Sequence, residues 1–253
     1  VTSRPIYDAI RGGVSQAPRG AASARQRAVL HAVTEVLHSF ATPAAQLAVL
    51  DCGGGSGGLA VPLAQLGCAV TVVDISGDAL ATLTRRAADA GVAHLVHPVQ
   101  GDLEALGDAV AASGFDLVLL HGVLEFVDPL TALRSAAAAT RPGGVISVLV
   151  ANPVATVLAK VLAGDISSAL VALRSREPTS RTDAATLGEL CTSLGLDVEQ
   201  VHGVGVFAEL APAADPDSTE LLAELEELAA GRSPYREIAS RVHLVARRPI
   251  TSG

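Results

Sequence analysis

The run Gly53-Gly54-Gly55-Ser56-Gly57-Gly58, set directly after the aliphatic segment Leu47 to Cys52, limits what this chain can fold into more than any other feature. A short continuous apolar run reads as a strand buried on both faces, and the glycines after it turn the chain where side chains would collide. The pattern then repeats. Strands are expected at Ala69 to Ile75, His94 to Val99, Phe115 to His121 and Val145 to Ala151, alternating with helices at about Leu59 to Leu66, Gly77 to Ala90, Leu103 to Ala112 and Pro129 to Thr140. Continuous aliphatic strands alternating with helices imply a parallel sheet covered on both faces, an α/β fold.

The flanking segments read differently. Residues 1 to 42 form an arm rich in Arg, Gly, Pro and Ser followed by a helix with apolar positions at Ala28, Val29, Ala32, Val33, Val36 and Leu37. After Asn152 the stretch Val154 to Leu173 is apolar at helical spacing and leads into an arginine-bearing loop ending at Arg181, so residues 153 to 181 are read as an inserted helical cap. A helix at Thr182 to Leu194, an extended segment at Asp197 to Leu210, an acidic helix at Ser218 to Ala230 and a last strand at Arg241 to Arg247 complete one domain of 253 residues. Two late strands joined by a long connection suit an antiparallel edge on a mostly parallel sheet.

Composition narrows the partners. The chain is 49% hydrophobic but 2% aromatic, so its core rests on many small aliphatic contacts and aromatic platforms for nucleic acid are scarce. A net charge of -8 works against an affinity that depends on neutralising phosphates. Lys160 is the only lysine, which leaves positive charge to arginine, the better side chain for paired contacts to carboxylate or phosphate. Cys52, Cys68 and Cys191 are odd in number and lack ligand spacing, so neither a disulfide framework nor a metal site is expected. No secretory apolar region and no run of membrane-spanning length is seen, which points to a reducing, cytoplasmic setting with no membrane partner. Val1 is read either as a trimmed start or as a start codon translated as valine.

The chemistry gathers at the glycine turn. A carboxylate or phosphate is the expected guest of such a loop. Gly53, Gly55 and Gly58 also satisfy G-x-G-x-x-G, the dinucleotide pattern, so an NAD-dependent oxidoreductase stays open as a less favoured alternative. Asp74 closes the next strand 23 residues beyond Asp51, about the spacing expected of an acid that accepts from ribose hydroxyls. A turn-capping role ahead of Ser76 and Gly77 is the competing reading of Asp74, and a strand-end acid tying down the turn is that of Asp51.

The ordered series VLDCGGGSG, VVDIS, QGDLEAL, FDLVLLHGVLEFVDP and RPGGVISV resembles the motifs of class I S-adenosylmethionine-dependent methyltransferases over about residues 47 to 151. The resemblance implies a Rossmann-like fold with a seven-stranded, mostly parallel sheet, S-adenosyl-L-methionine as cofactor and S-adenosyl-L-homocysteine as its product. It also implies Gly53, Gly54 and Gly55 at the methionine part of the cofactor, Asp74 and Ile75 at the ribose, and Gln100, Gly101, Asp102 and Leu103 around adenine. Asp102 also reads as a helix cap, and Leu103 as a packing residue. The finishing HLVARRP segment is similar to that family's antiparallel edge strand.

HGVLEFV, the VLAG of the cap, GVGVF and the SPY…HLVARRP ending resemble the tRNA 5-carboxymethoxyuridine methyltransferases over almost the whole chain. That likeness implies O-methylation of a carboxylate in tRNA, with Arg27 and His121 at the cofactor. Each has a plainer reading, as a solvated helix charge or as a strand-end histidine. A carboxylate acceptor needs no general base, whereas for a hydroxyl or amine His121 is the leading base, and Glu125 either orients it or caps the next helix. Asn152, Arg174, Arg176 and Tyr235 are the candidates on the acceptor side.

The chain also departs from that family. Ala151 stands where the family carries an aromatic residue, Gly205 where it carries an arginine, and the basic tract of the cap is thin. A small-molecule acceptor of specialised metabolism is therefore the alternative to tRNA, and a non-catalytic binding module of the same fold is a third reading. A monomer or a homodimer is expected.

Overall fold

A computed structural model describes residues 19–174, 183–208 and 216–250, the side chains of 19–27 and 216–219 aside. Its centre is a seven-stranded sheet with β1 Ala48–Cys52, β2 Ala69–Asp74, β3 Val96–Gln100, β4 Phe115–His121, β5 Thr140–Ala151, β6 Asp197–Val204 and β7 Arg241–Arg247. The spatial order is β3-β2-β1-β4-β5-β7-β6. The first five strands are parallel, and β7 runs antiparallel to both β5 and β6.

Alternate residues of the central strands feed two separate cores, which is why these strands are aliphatic throughout rather than alternating with polar residues. On one face Val49, Leu117, Leu119, Val145 and Val245 pack under Val33, Val36 and Leu37 of α1 (Arg19–His38), with Leu63 of α2 (Ala60–Gln65) and Leu83 of α3 (Gly77–Asp89). On the other, Leu50, Cys52, Val118, Leu120, Ile146, Val148 and Leu244 meet α5 (Pro129–Ala139) through Leu133 and Ala136 and α8 (Ala184–Ser193) through Leu187 and Cys191. Helix starts follow local chemistry: Ser76, Asp128 and Asp183 each accept from a backbone amide of the first turn they precede.

Several expected elements change on folding. The helix expected at Leu103 to Ala112 becomes a 3-10 turn, Leu103–Ala105, and one α-helical turn, α4 (Leu106–Ala109). The cap stretch is two helices, α6 (Pro153–Leu162) and α7 (Ile166–Arg174), because Gly164 at φ +77 reverses the chain and the Asp165 amide closes on the Lys160 carbonyl. Its outer side carries exposed Leu162, Ile166, Val171 and Leu173. The extended segment expected at Asp197 to Leu210 is a strand as far as Val204, after which Gly205 takes φ +71, and its last two residues lie outside the described ones.

The finishing strand β7 lies one strand inside the edge, with β6 as the edge itself. The side chains decide this order: Val242 to Ala246 are all buried, while Asp197, Val198, Glu199 and Gln200 of β6 face solvent. Among the described residues no helix is long and apolar enough to cross a membrane.

The acidic helix α9 (Pro216–Ala230) is anchored by one carboxylate. Glu226 accepts from the amides of Val206, Phe207 and Ala208 at 2.8, 2.7 and 2.6 Å, so it holds the turn that follows β6. Glu226→Ala leaves those half-buried amides to water and is expected to lower the unfolding free energy by about 2 kcal/mol, read as a lower urea midpoint.

Candidate cofactor and acceptor site

One end of the sheet collects almost every residue singled out above. β1 and β4 are neighbours, yet β2 and β3 extend one way from them and β5, β7 and β6 the other. A crevice opens at such a reversal, beyond the carboxyl ends of the strands. The glycine loop follows β1, Asp74 ends β2, Gln100 ends β3, His121 ends β4 and Asn152 follows β5. A shallow hollow lined by Thr34, Leu37, Phe40 and Leu66 lies at the opposite end and holds none of these groups.

The glycine loop is shaped by what lies beneath it. The Gly53 amide donates to the Val73 carbonyl at 2.7 Å, and Gly53 and Gly55 take φ of +68 and +56, a region that L side chains rarely adopt. A β-carbon on Gly54 would stand 2.3 Å from Oδ2 of Asp51 and 2.9 Å from Val72, and one on Gly53 would stand 2.3 Å from Val123. These two glycines are therefore required by close packing onto the strand ends, and the loop that results is a bare main-chain cradle.

Asp74 braces that cradle. Its Oδ2 accepts from the Gly55 amide at 2.9 Å and its Oδ1 from the Ser76 amide at 2.8 Å, and the residue is buried. A carboxylate offers about four lone-pair sites, so two remain for the hydroxyls of a ribose. Both readings of Asp74 are thus compatible, since the turn contact uses one oxygen without exhausting it. Asp51, also buried, has its carboxyl pushed up to about 7, first by burial and then by the charge of Asp74.

Ile75 projects half-exposed beside Asp74, while Gln100 donates from Nε2 to the Ile75 carbonyl at 3.0 Å and the Gly101 amide donates to the Asp74 carbonyl at 3.2 Å. These contacts clip β2 to β3 and leave the Ile75 side chain open to a flat apolar ligand. Asp102 is exposed and caps the following turn through the Glu104 amide at 3.0 Å, and Leu103 is buried in the core. Arg27 lies on α1, its side chain outside the described ones.

His121 is tied into the sheet rather than left free. Its Nε2 lies 2.8 Å from Oγ of Ser147 on β5, which lies 2.7 Å from Nε2 of His243 on β7. Burial, then His243 and then the Arg241 guanidinium hold the His121 imidazole well below the usual histidine pKa, and burial followed by His202 brings His243 down to about 4. Both imidazoles are neutral at physiological pH.

Two expectations change here. Glu125 neither orients His121 nor caps the next helix: its Oε1 accepts from the Ala151 amide at 2.9 Å, while Asp128 caps α5. Asn152 faces no acceptor, because its Nδ2 donates to the carbonyls of Glu237 and Ala239 at 2.9 and 2.7 Å and its Oδ1 caps α6. Its role is to pin the end of β5 to α10 (Tyr235–Ile238). Arg174 is an exposed residue ending α7, and Arg176 lies outside the described residues. Tyr235, half-exposed at the start of α10, lies tilted against Phe207, with 5.8 Å between ring centroids.

Arg241, Ser147 and His243 were not foreseen as site residues. A lone serine in VISVLV and a lone histidine in RVHLVA were the available signals, since a polar residue inside an aliphatic strand must find a partner. Arg241 begins β7, and the antiparallel direction of that strand carries it to the carboxyl ends of β4 and β5, where it pairs with Ala151 and lies 3.9 Å from a β-carbon built on Gly122. Gly205 takes φ +71 and a β-carbon there would stand 2.6 Å from Oγ of Ser240, so a side chain at that position would be strained.

Comparison with known proteins gives this geometry a context. A family profile described as a methyltransferase domain matches residues 50–148. The chain is 28% identical over 215 residues to the tRNA 5-carboxymethoxyuridine methyltransferase of Escherichia coli strain K12, covering 81% of each chain. It is 33% identical over 165 residues to the ubiquinone biosynthesis O-methyltransferase of Albidiferax ferrireducens, covering 64% of each. The fold matches that of magnesium protoporphyrin IX methyltransferase from Synechocystis PCC 6803, solved with bound SAH, with a TM-score of 0.63 at 16% identity over 96% of this chain and 94% of that one. The oxidoreductase alternative raised by the G-x-G-x-x-G coincidence is overturned by these findings.

Proposed function

Because this chain is an S-adenosylmethionine-dependent methyltransferase, we propose that it methylates an oxygen of a carboxylate, with 5-carboxymethoxyuridine in tRNA as the acceptor. The observation that carries this reading is the Arg241 guanidinium beside His121 and Gly122, at the carboxyl ends of β4 and β5. A fixed guanidinium fits a carboxylate, and a carboxylate is already a nucleophile. A hydroxyl or amine acceptor needs a base near neutral pKa, and His121, held far below that, is a poor one.

The residues present fit the cofactor. The flat glycine cradle, the two open acceptor sites on buried Asp74 and the projecting Ile75 suit an amino-acid tail, a ribose and an adenine in that order. When bound, the cofactor supplies a methyl group on a positively charged sulfur. The protein's own share is alignment and exclusion of water: Asp74 holds the loop and the sugar, Asp51 sets a buried carboxyl beneath the loop, and Arg241 holds the acceptor. Asp102 and Arg27 are assigned to adenine and to the cofactor carboxylate on the same reading.

A small-molecule carboxylate is the second reading, favoured by the net charge of -8 and by the glycine at 205. The test is methyl-tritium transfer from labelled cofactor into tRNA carrying 5-carboxymethoxyuridine and, in parallel, into the small-molecule fraction of a cell extract. Arg241→Ala is expected to raise KM for the acceptor about 10- to 100-fold with a smaller change in kcat, the loss of a charge-assisted contact. Base-labile counts in the tRNA support the ester. Counts confined to small molecules would replace the tRNA assignment, and an unchanged KM would remove Arg241 from it.

A further inference from the structure

We propose that two copies of this chain pair about a two-fold axis, with the acidic helix α9 of each laid on the cap helices α6 and α7 of the other. The contact concerns a surface outside the cofactor crevice and does not depend on the identity of the methyl acceptor.

Eleven of the seventeen exposed large apolar side chains among the described residues stand on α6, α7 and α9. Single exposed leucines are ordinary, but apolar side chains gathered on neighbouring helices mark a surface that another body covers. Their spacing fits a helix as that body. Ile166, Leu170 and Leu173 of α7 recur at i, i+4 and i+7, and so do Leu221, Leu225 and Leu228 of α9. Each helix thus turns one apolar stripe outward, in addition to the side it packs on the protein.

Charge decides which stripe meets which. Glu220, Glu224 and Glu227 keep the same spacing one residue earlier, so a row of carboxylates runs beside the leucines of α9. The cap helices carry Lys160 and Arg174. None of these five groups makes an ion pair among the described residues, where the salt bridges lie at Glu35, Asp116, Glu237 and Glu199. Cap against cap would oppose cations, and α9 against α9 would oppose two carboxylate rows. Cap against α9 is the pairing in which apolar stripes meet and opposite charges flank them. An anionic lipid surface or a nucleic-acid backbone is disfavoured by the same carboxylates and by the net charge of -8.

The contact also closes on itself. The short helix α10 packs against both α6 and α9, so the two complementary surfaces lie on either side of it. A two-fold axis near α10 forms both contacts at once, where a single head-to-tail contact would build an open chain. It doubles the area that one helix pair buries, toward the roughly 1,000 Å² or more that a specific interface needs.

Sedimentation velocity on the full chain, at about 5 and 50 μM, is expected to show a species of twice 25.5 kDa that grows with concentration. Reversal of the cap charges, Lys160→Glu with Arg174→Glu, and reversal of the α9 row, Glu220→Lys with Glu224→Lys and Glu227→Lys, are each expected to weaken that dimer about 30-fold or more. Mixed together, the two variants are expected to dimerise again, because each cap then faces an α9 of opposite sign. Leu173→Gln and Leu221→Gln, on the stripes themselves, are each expected to weaken it about 10-fold, so the assignment does not rest on the charge reversals alone. A wild type that stays at 25.5 kDa overturns the proposal, and one that instead floats with vesicles containing phosphatidylglycerol gives the face to lipid. Assemblies that grow past the dimer, a dimer indifferent to the α9 variants, or folded charge variants that stay apart on mixing overturn it as well.

Discussion

Asp74→Ala is expected to lower the affinity for S-adenosylhomocysteine by about 100-fold or more, some 3 kcal/mol, while the sheet stays folded. The carboxylate has two tasks. It terminates the Gly55 and Ser76 amides, which set the path of the glycine loop, and it keeps two lone-pair sites for the ribose. Hydrogen bonds to a charged acceptor each contribute about 1.5 to 3 kcal/mol, so removal of the shared acceptor affects loop and ligand together. The cores are independent of it: Val49, Leu119 and Leu120 stay packed, and the Gly53 amide still meets the Val73 carbonyl. Asp74→Asn is expected to lie between the two, because its amide group presents a donor to one of the two main-chain donors. Calorimetric titration with the thioether product measures the loss. An unchanged affinity, with a folded variant shown by circular dichroism, would remove Asp74 from the cofactor site.

Asp51→Asn is expected to make the unliganded protein more stable above neutrality, by about 2 to 4 kcal/mol at pH 8. In the folded chain the Asp51 carboxyl keeps its proton up to about 7, whereas the ordinary value is 3.8. Between those values the native state binds more protons than the unfolded one, so this group lowers stability as pH rises through the window and leaves it lowered above pH 7. Asparagine has no proton to release.

His243 acts with the opposite sign. Its folded pKa of about 4 lies below the ordinary 6.5, so its contribution is present above pH 6.5 and is lost as pH falls toward 4. His121 and His202, also held low, add to the side of His243, so the wild type is expected to gain stability from pH 4.5 to 6.5 and the variant, without the opposing Asp51, to gain more. Urea midpoints at pH 4.5, 6.5 and 8 separate the two. A variant less stable than wild type at pH 8 contradicts the account. On the proposed function, a buried carboxylate beneath the loop would favour a cationic guest, and stability given up at a binding site is a common consequence.

The parallel half of the fold was legible because each strand announces itself. Phe115–His121 falls where the aliphatic pattern ends, as does the antiparallel Arg241–Arg247, and the glycine run and Asp74 mark the end of the sheet proposed to bind the cofactor. The cap and the segment after Leu103 were less legible, since one glycine or one capping aspartate divides a helical pattern without changing its apolar content. Asn152 and Glu125 misled for a related reason. A polar residue after a strand looks available to a ligand, and only the position of the neighbouring backbone shows that Ala151, Glu237 and Ala239 already claim these two side chains.

Local pattern therefore determined the strands, their burial on both faces, the glycine cradle and its acid, because each depends on residues close together along the chain. Tertiary structure alone decided that β7 lies between β5 and β6, and with it that Arg241 and His243 join His121 and Ser147. Ser147 and His243 are 96 residues apart, and no periodicity in sequence records a contact made when an antiparallel strand enters the sheet inside its own edge.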